Sequence, residues 1–294
     1  MIVWIPDNYT EAHRSPERQK DLTGELLKLG VHCVPSYQRD IDLIFCGSIF
    51  TSKAVRSRSK VLKSVPVVHY NWDLYPWVVR HRPEMGWPAY LEDLKTCTSI
   101  LVPNLGTAMR TNELVGRGDW TIVPAPVKVW EVPAERPTTA PPPGEYVLDV
   151  MRDYKWDRGF RFAEEACKIV SMPLVRTKTR TPWDEFRWLV ANAKCLVSAV
   201  DEASTGGLTL LEGYAHGVPV VLTDSPLNGA HEYFGAKARY FRHDSVDPPA
   251  SLAQELTATH RRHENGEWVK QTYSDSVFAT LLHKEFVRCL NLSS

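Results

Sequence analysis

Short apolar runs alternate with longer stretches of helical periodicity along the first part of the chain. The apolar runs are rich in Val, Ile and Leu, which is typical of buried parallel strands, and they lie at 1–6, 31–34, 41–46, 65–70, 100–103 and 120–124. The stretches between them repeat apolar residues at helical spacing, and they lie at 15–30, 87–98 and 105–115. This alternation predicts a parallel α/β sheet with right-handed crossovers.

A proline-rich segment interrupts the pattern, which then starts again. Pro133, Pro137 and the three prolines at 141–143 predict a stiff, extended linker over 129–145. Beyond it, strands are predicted at 146–151, 174–176, 195–200, 219–222 and 238–241, and helices at 159–170, 183–192, 250–260 and 274–290. We therefore predict two domains, 1–128 and 146–273.

Composition narrows the choice of compartment and partners. The 294 residues carry a formal net charge of zero, so no global field indicates a nucleic-acid or membrane partner. No apolar run approaches the length of a membrane span, and the N-terminus does not have the pattern of a secretion signal. We expect a soluble, cytoplasmic protein whose six scattered cysteines are reduced thiols.

The stretch 201–221 has the strongest functional signal. Two glycines, Gly206 and Gly207, stand between a strand and a predicted helix of about a dozen residues, with Ser204 or Thr205 as N-cap and Gly217 after its end. Glycines allow close approach of a ligand, and the helix start offers free N–H groups to a phosphate or sugar. The alternative is a purely structural glycine turn.

The turn that follows strand 146–151 is rich in cations. Arg152, Lys155 and Arg158 precede the helix at 159–170. Cations on a loop ahead of a helix N-terminus add to the helix dipole in holding a diphosphate. The alternative is a solvated surface loop.

The segment 212–221, Glu-Gly-Tyr-Ala-His-Gly-Val-Pro-Val-Val, resembles the donor-binding signature of the family 4 retaining glycosyltransferases. The resemblance implies a GT-B fold, with two Rossmann-like domains whose parallel sheets face a cleft. It also implies that Glu212 binds the nucleotide ribose, and that Thr205, Gly206, Gly207, Leu208 and Thr209 hold the donor sugar and diphosphate. Ser204 stands where the family has its first, sugar-contacting glutamate, and Glu202 lies two residues earlier.

The same resemblance extends to the first domain and the C-terminus. His69 lies at the carboxyl end of a predicted buried strand, where ligands bind in open α/β sheets. Family members often have a histidine here, which implies that His69 orients the reacting substrate; the alternative is a structural histidine. In this fold the terminal helix, 274–294, packs back on the first domain.

Two further charged patterns are candidates for a metal site and for an acceptor-binding site. Asp40 and Asp42 mimic an Asp-x-Asp metal motif, but they stand at the start of a strand, so we expect no metal. The segment 52–64 has five cations and no acid. Within it, Arg56, Arg58 and Lys60 are candidates for binding acceptor phosphates, although a charge run is usually a solvated face.

The resemblance, together with these patterns, implies a retaining hexosyl- or pentosyltransferase without a cofactor, which uses a UDP- or GDP-sugar. Compact enzymes of this kind occur in viruses that glycosylate modified DNA bases. The predicted acceptor is therefore a hydroxylated DNA base, with a glycan or lipid as the alternative. A nucleotide-sugar epimerase or hydrolase of the same fold remains open. So does an inactive sugar-nucleotide-binding subunit, because of Ser204.

Overall fold

A computed structural model describes residues 1–6, 16–47, 52, 55–56, 64–71, 86–149, 158–177, 181–199, 207–225, 229–261 and 265–293. The chain divides into two compact units. The first comprises Met1–Pro126 together with Tyr273–Ser294, and the second comprises Val127–Thr272. The segment 129–145, which we predicted to be a linker, belongs to the second unit in this division.

The first unit contains a sheet of six parallel strands in the order β2-β1-β3-β4-β5-β6. The strands are β1 (Ile2–Trp4), β2 (His32–Val34), β3 (Leu43–Cys46), β4 (Val67–Tyr70), β5 (Ser99–Val102) and β6 (Trp120–Ile122). The helices of this unit whose bounds the structure describes are α1 (Pro16–Lys28), α2 (Trp87–Thr96), α3 (Leu105–Val115) and the C-terminal α10 (Asp275–Ser293).

Apolar strands and the C-terminal helix form the core of the first unit. All four residues of β3 and of β5 are buried, as the continuous apolar runs predict for a sheet covered on both faces. The helix α10 packs on this sheet through its apolar stripe. Phe278 meets Tyr70 edge to face at 5.4 Å between ring centroids, and Phe286 meets Phe45 at 5.6 Å.

The second unit contains five parallel strands in the order β11-β10-β9-β7-β8. The strands are β7 (Val147–Asp149), β8 (Leu174–Arg176), β9 (Cys195–Ser198), β10 (Val220–Thr223) and β11 (Arg239–Phe241). The helices are α4 (Arg158–Ile169), α5 (Trp183–Asn192), α6 (Leu208–Ala215), α7 (Ala230–Phe234), α8 (Pro248–Thr257) and α9 (Asn265–Tyr273).

Helices α4 and α8 cover one face of the second sheet. Ala163 and Cys167 of α4 join Leu252 and Leu256 of α8 in one apolar cluster with strand residues such as Val197. The predicted fold class is confirmed, since both units are parallel α/β sheets of the Rossmann type. The structure also contains helices α7 and α9, which the apolar pattern did not predict.

The structure bears on two features considered from composition, the cysteines and the possibility of a membrane-spanning helix. All six cysteines are free, and five of them are buried. None of the helices in the ranges described above has the length and apolar character that a membrane crossing needs.

Candidate functional site

The second sheet reverses its strand order between β7 and β9. β7 pairs with β8 on one side and with β9 on the other, where Asp149 lies opposite Val197. In open α/β sheets, ligands bind beyond the carboxyl ends of the strands at such a switch point. The segment 150–157 follows β7 and the segment 199–207 follows β9. The two segments that we predicted to bind the donor therefore leave the sheet from adjacent strands.

Helix α6 begins later than predicted. It has eight residues, and its N-cap is Gly207 rather than Ser204 or Thr205, so that prediction was wrong. The physical reason lies in the backbone of Gly207, whose φ of 43° is not helical. The Leu210 N–H donates to the Gly207 carbonyl at 2.9 Å. The first N–H groups that the helix can offer to a ligand are consequently those of Leu208 and Thr209.

The end of α6 agrees with the prediction that Gly217 closes the helix. Gly217 has a φ of 78°. Its N–H donates to the Tyr214 carbonyl at 2.9 Å, and the Val218 N–H donates to the Gly213 carbonyl at 3.1 Å. These two bonds form a Schellman motif with Gly217 at C′.

Gly213 brings α6 close to the sheet. A Cβ atom at this position would lie 2.3 Å from Leu196 Cδ1 and 3.1 Å from Val190 Cγ1. A side chain at this position would have to displace Leu196 and crowd Val190, so glycine lets the helix lie close to β9 and α5.

Glu212 is buried on α6, with 3% of its surface exposed. Burying a carboxylate is costly unless it is hydrogen-bonded or paired. A solvated helical glutamate, which was the structural alternative, would be exposed. The burial of Glu212 therefore favours a specific role for this side chain over the solvated one.

A buried ion pair at the switch point was missed by the sequence analysis. Asp149 ends β7 and Arg176 ends β8, directly opposite each other. Arg176 Nε donates to Asp149 Oδ2 at 3.0 Å, and 3% of Asp149 is exposed. The available signal was a charged residue within the apolar run 146–151 and another at the end of the run 174–176. The pair ties the carboxyl ends of β7 and β8 together at the edge of the sheet where we predicted a diphosphate.

The remaining predicted donor residues are placed as follows. Arg158 is the first residue of α4, the helix that follows β7 in the chain. Gly207 is exposed, and Leu208 and Thr209 are partly exposed in the first turn of α6. The other predicted residues lie outside the described part of the chain, and they are Arg152, Lys155, Ser204, Thr205 and Gly206.

His69 in the first unit is buried, with 2% of its surface exposed. It lies in β4 between Cys46 of β3 and Ile100 of β5, and its ring meets Tyr90 edge to face at 5.9 Å. Its Nδ1 has no hydrogen-bond partner within the described residues. Burial, together with the nearby charge of Arg56, lowers the pKa of His69 to about 3. His69 is therefore neutral near pH 7 and can act as a hydrogen-bonding group.

Arg56 has an acidic partner that its own segment lacks. Its Nη1 donates to Asp93 Oδ2, and the Ser52 hydroxyl donates to the same oxygen. Burial raises the pKa of the Asp93 carboxyl despite these two partners. The Arg56 side chain is 32% exposed. Arg58 and Lys60, the other two acceptor candidates, lie outside the described residues.

The Asp-x-Asp pattern lies at a strand entry. Asp42 is exposed, and its Oδ2 accepts a hydrogen bond from the Ile2 N–H at 2.7 Å. Within the part of the chain that the structure covers, no group of three or more His, Cys, Asp or Glu side chains has the arrangement of a metal site.

Comparison with known proteins identifies the fold. Neither a protein-family model nor a curated protein matches the chain. Among solved structures, sucrose-phosphate synthase from Thermosynechococcus elongatus superposes with a TM-score of 0.66 at 14% identity, over 100% of this chain and 99% of its own. Anabaena HepE in complex with UDP and glucose superposes at 0.64 and 9% identity, over 98% of this chain and 99% of its own.

A third structure agrees with these two. AviGT4, a glycosyltransferase involved in avilamycin A biosynthesis, superposes with a TM-score of 0.62 at 12% identity, over 99% of this chain and 98% of its own. The fold is that of the GT-B glycosyltransferases. At such low identities the similarity is one of fold.

Proposed function

We propose that the protein is a retaining glycosyltransferase that moves a sugar from a nucleotide diphosphate sugar to an acceptor hydroxyl. The observation that carries this proposal is the switch point of the second sheet. There a cation-rich segment after β7 and a glycine turn after β9 leave adjacent strands. Cations and a helix N-terminus at one edge suit a diphosphate, which is the leaving group of such a reaction.

Each donor residue then has a stated role. Arg152, Lys155 and Arg158 bind the diphosphate, and the backbone from Thr205 to Thr209 holds the phosphate and sugar. Glu212 accepts hydrogen bonds from the ribose hydroxyls. HepE was crystallised with UDP and with UDP-glucose, so uridine is the base that we propose first.

The catalytic proposal needs neither a nucleophilic side chain nor a metal. The leaving phosphate assists a front-face displacement, and the neutral His69 orients the reacting sugar by a hydrogen bond. Ser204 occupies the position where the family's sugar-contacting glutamate stands. The α6 N-terminus and the arginines supply the positive charge that stabilises the departing diphosphate. Turnover is expected to survive EDTA.

We propose that the acceptor is a phosphate-bearing molecule. The first candidate is DNA with a hydroxylated base. The support is the acid-free run of cations over 53–63. Arg56 already has Asp93 as partner, so Arg58 and Lys60 would carry more of the phosphate contact. Transfer to such an acceptor should weaken steeply with salt. Salt-insensitive transfer to a neutral sugar would contradict this acceptor and leave the glycosyltransferase proposal intact.

The direct test of the function is a donor screen. UDP- and GDP-sugars are mixed with the protein, with and without EDTA, and free nucleoside diphosphate is measured together with the anomeric configuration of any product. The proposal predicts release of UDP or GDP with retention and no loss of rate in EDTA. Strict dependence on Mn²⁺ or Mg²⁺, or an inverted product, would contradict the proposed mechanism. Absence of any donor turnover and binding would contradict the function.

A further inference from the structure

Two polar side chains near the switch point have no role in the donor site as described so far. Asp224 directly follows β10, and His231 lies in the first turn of α7. β10 is the neighbour of β9, with Leu222 opposite Ser198. The Thr223 hydroxyl donates to the Ser198 carbonyl at 3.3 Å, which ties the carboxyl ends of the two strands together. Asp224 therefore leaves the sheet beside the strand that leads to the glycine turn.

The surrounding strands hold this pair in place. The Asp224 N–H donates to the Phe241 carbonyl of β11 at 2.9 Å. The His231 ring lies against Tyr240 of the same strand, with ring centroids 4.4 Å apart and planes tilted by 37°. His231 Nε2 is 3.6 Å from Asp224 Oδ1. Both side chains are accessible to a ligand, since 42% of His231 and 56% of Asp224 are exposed.

We propose that Asp224 and His231 bind hydroxyl groups of the transferred sugar, an inference that rests on the proposed function. An imidazole that turns its Nε2–H toward Asp224 leaves Nδ1 as a hydrogen-bond acceptor. The second carboxylate oxygen of Asp224 is another acceptor. Two acceptors side by side match two O–H donors of a sugar ring. They do not match a diphosphate, which carries acceptors and negative charge and would be repelled by Asp224.

A purely structural contact between the two side chains makes different predictions. Exposed pairs of this kind contribute little to stability. Removal of either side chain should then leave every ligand affinity unchanged. The sugar-binding inference instead predicts a loss that depends on whether the ligand carries the sugar. The comparison of a sugar nucleotide with its own nucleoside diphosphate separates the two explanations.

The experiment is calorimetric titration of the parent protein and two variants, Asp224→Ala and His231→Phe. The phenylalanine keeps a ring against Tyr240 and removes both nitrogens. The probes are UDP-glucose, UDP-galactose, UDP-N-acetylglucosamine and GDP-mannose, each paired with UDP or GDP. For the sugar nucleotide that the parent binds best, we expect each variant to bind about ten- to a hundredfold more weakly. The affinity for the matching UDP or GDP should stay within about twofold.

Glu164→Ala is the matched control. The Glu164 carboxylate is also exposed, and it lies 3.7 Å from Lys168 Nζ on α4. This variant should bind every probe as the parent does. Unchanged affinity of Asp224→Ala and His231→Phe for the sugar nucleotide, or an equal loss for the nucleoside diphosphate, would overturn the inference and leave the proposed function standing. A parent that binds none of the probes would overturn the proposed function, and the inference with it.

Discussion

At the scale of single residues, Glu212 is the side chain whose removal should affect nucleotide binding most specifically. A carboxylate that accepts hydrogen bonds from ribose hydroxyls contributes about 1.5–3 kcal/mol. We expect Glu212→Gln to weaken UDP binding by that amount, measured by calorimetric titration. Pyrophosphate, which lacks the ribose, should bind the variant and the parent equally.

Because Glu212 is buried, its variant needs a check on folding. The thermal unfolding transition of Glu212→Gln should remain cooperative, since glutamine has nearly the same shape as glutamate. If the folded variant binds UDP as tightly as the parent does, Glu212 is not a ribose ligand.

Ser171 gives a prediction about stability alone. It has a φ of 54°, the only positive φ of a non-glycine residue among those the structure describes. The Met172 N–H donates to the Cys167 carbonyl at 2.9 Å, and the Ser171 N–H donates to the Lys168 carbonyl at 3.2 Å. Ser171 thus occupies the C′ position of a Schellman motif after α4, where glycine is usual. Ser171→Gly should stabilise the protein by about 0.5–1 kcal/mol, measured by urea unfolding.

The reverse substitution at α6 is the control for Ser171. Gly217 occupies the same C′ position with a φ of 78°. Gly217→Ser should destabilise the protein by about 1 kcal/mol. If both substitutions stabilised the protein, or both destabilised it, the left-handed backbone conformation would not be what determines the two changes in the free energy of unfolding.

At the scale of elements, apolar periodicity predicted the strands and the longer helices because each buries a continuous run or stripe. It missed α7, which has only five residues and so offers no repeat. It also missed α9, which contains Gly266, a residue that usually indicates a break. A Cβ at Gly266 would lie 2.8 Å from the Ala215 carbonyl oxygen, so this glycine allows α9 to approach the end of α6. Such a close contact between distant segments leaves no local signal.

Besides its apolar stripe, α10 contacts the first sheet through a buried carboxylate. Glu285 accepts hydrogen bonds from the Ser99 hydroxyl of β5 and from Arg288 Nε at 2.9 Å. Burial raises the pKa of Glu285, but the hydrogen bonds from Arg288 and Ser99 outweigh it and place the pKa below its usual 4.5. We expect Glu285→Gln to lower the free energy of unfolding by about 1–3 kcal/mol at pH 7.

The difference in the free energy of unfolding between the parent and Glu285→Gln should become smaller as the pH falls. A carboxyl whose pKa is lower in the folded state stabilises the protein fully above the pKa of the unfolded chain. That contribution is lost as the pH falls below about 4.5 and through the folded pKa. Urea unfolding at pH 7 and pH 3.5 should show the gap narrowing. A gap that is constant or widens at low pH would contradict the ionised Glu285.

At the scale of the whole molecule, the sequence predicted the fold class better than the site. The alternation of strands and helices on both sides of a proline-rich segment was enough to predict two parallel α/β units. The Asp149–Arg176 pair and the His231–Tyr240 contact join residues from separate strands and helices. They depend on strand order, which periodicity does not determine. The acceptor depends on recognition surfaces rather than on the fold, so it stays a prediction.

Above all, we propose that the switch point of the second unit binds a nucleoside diphosphate through its cations and the α6 N-terminus. The most direct measurement is calorimetric titration of UDP and of uridine into the parent and into Arg152→Ala and Arg158→Ala. Each arginine variant should lose about 1.5–3 kcal/mol of UDP affinity and almost none of its uridine affinity. Equal losses for the two ligands, or UDP binding that neither substitution affects, would contradict it.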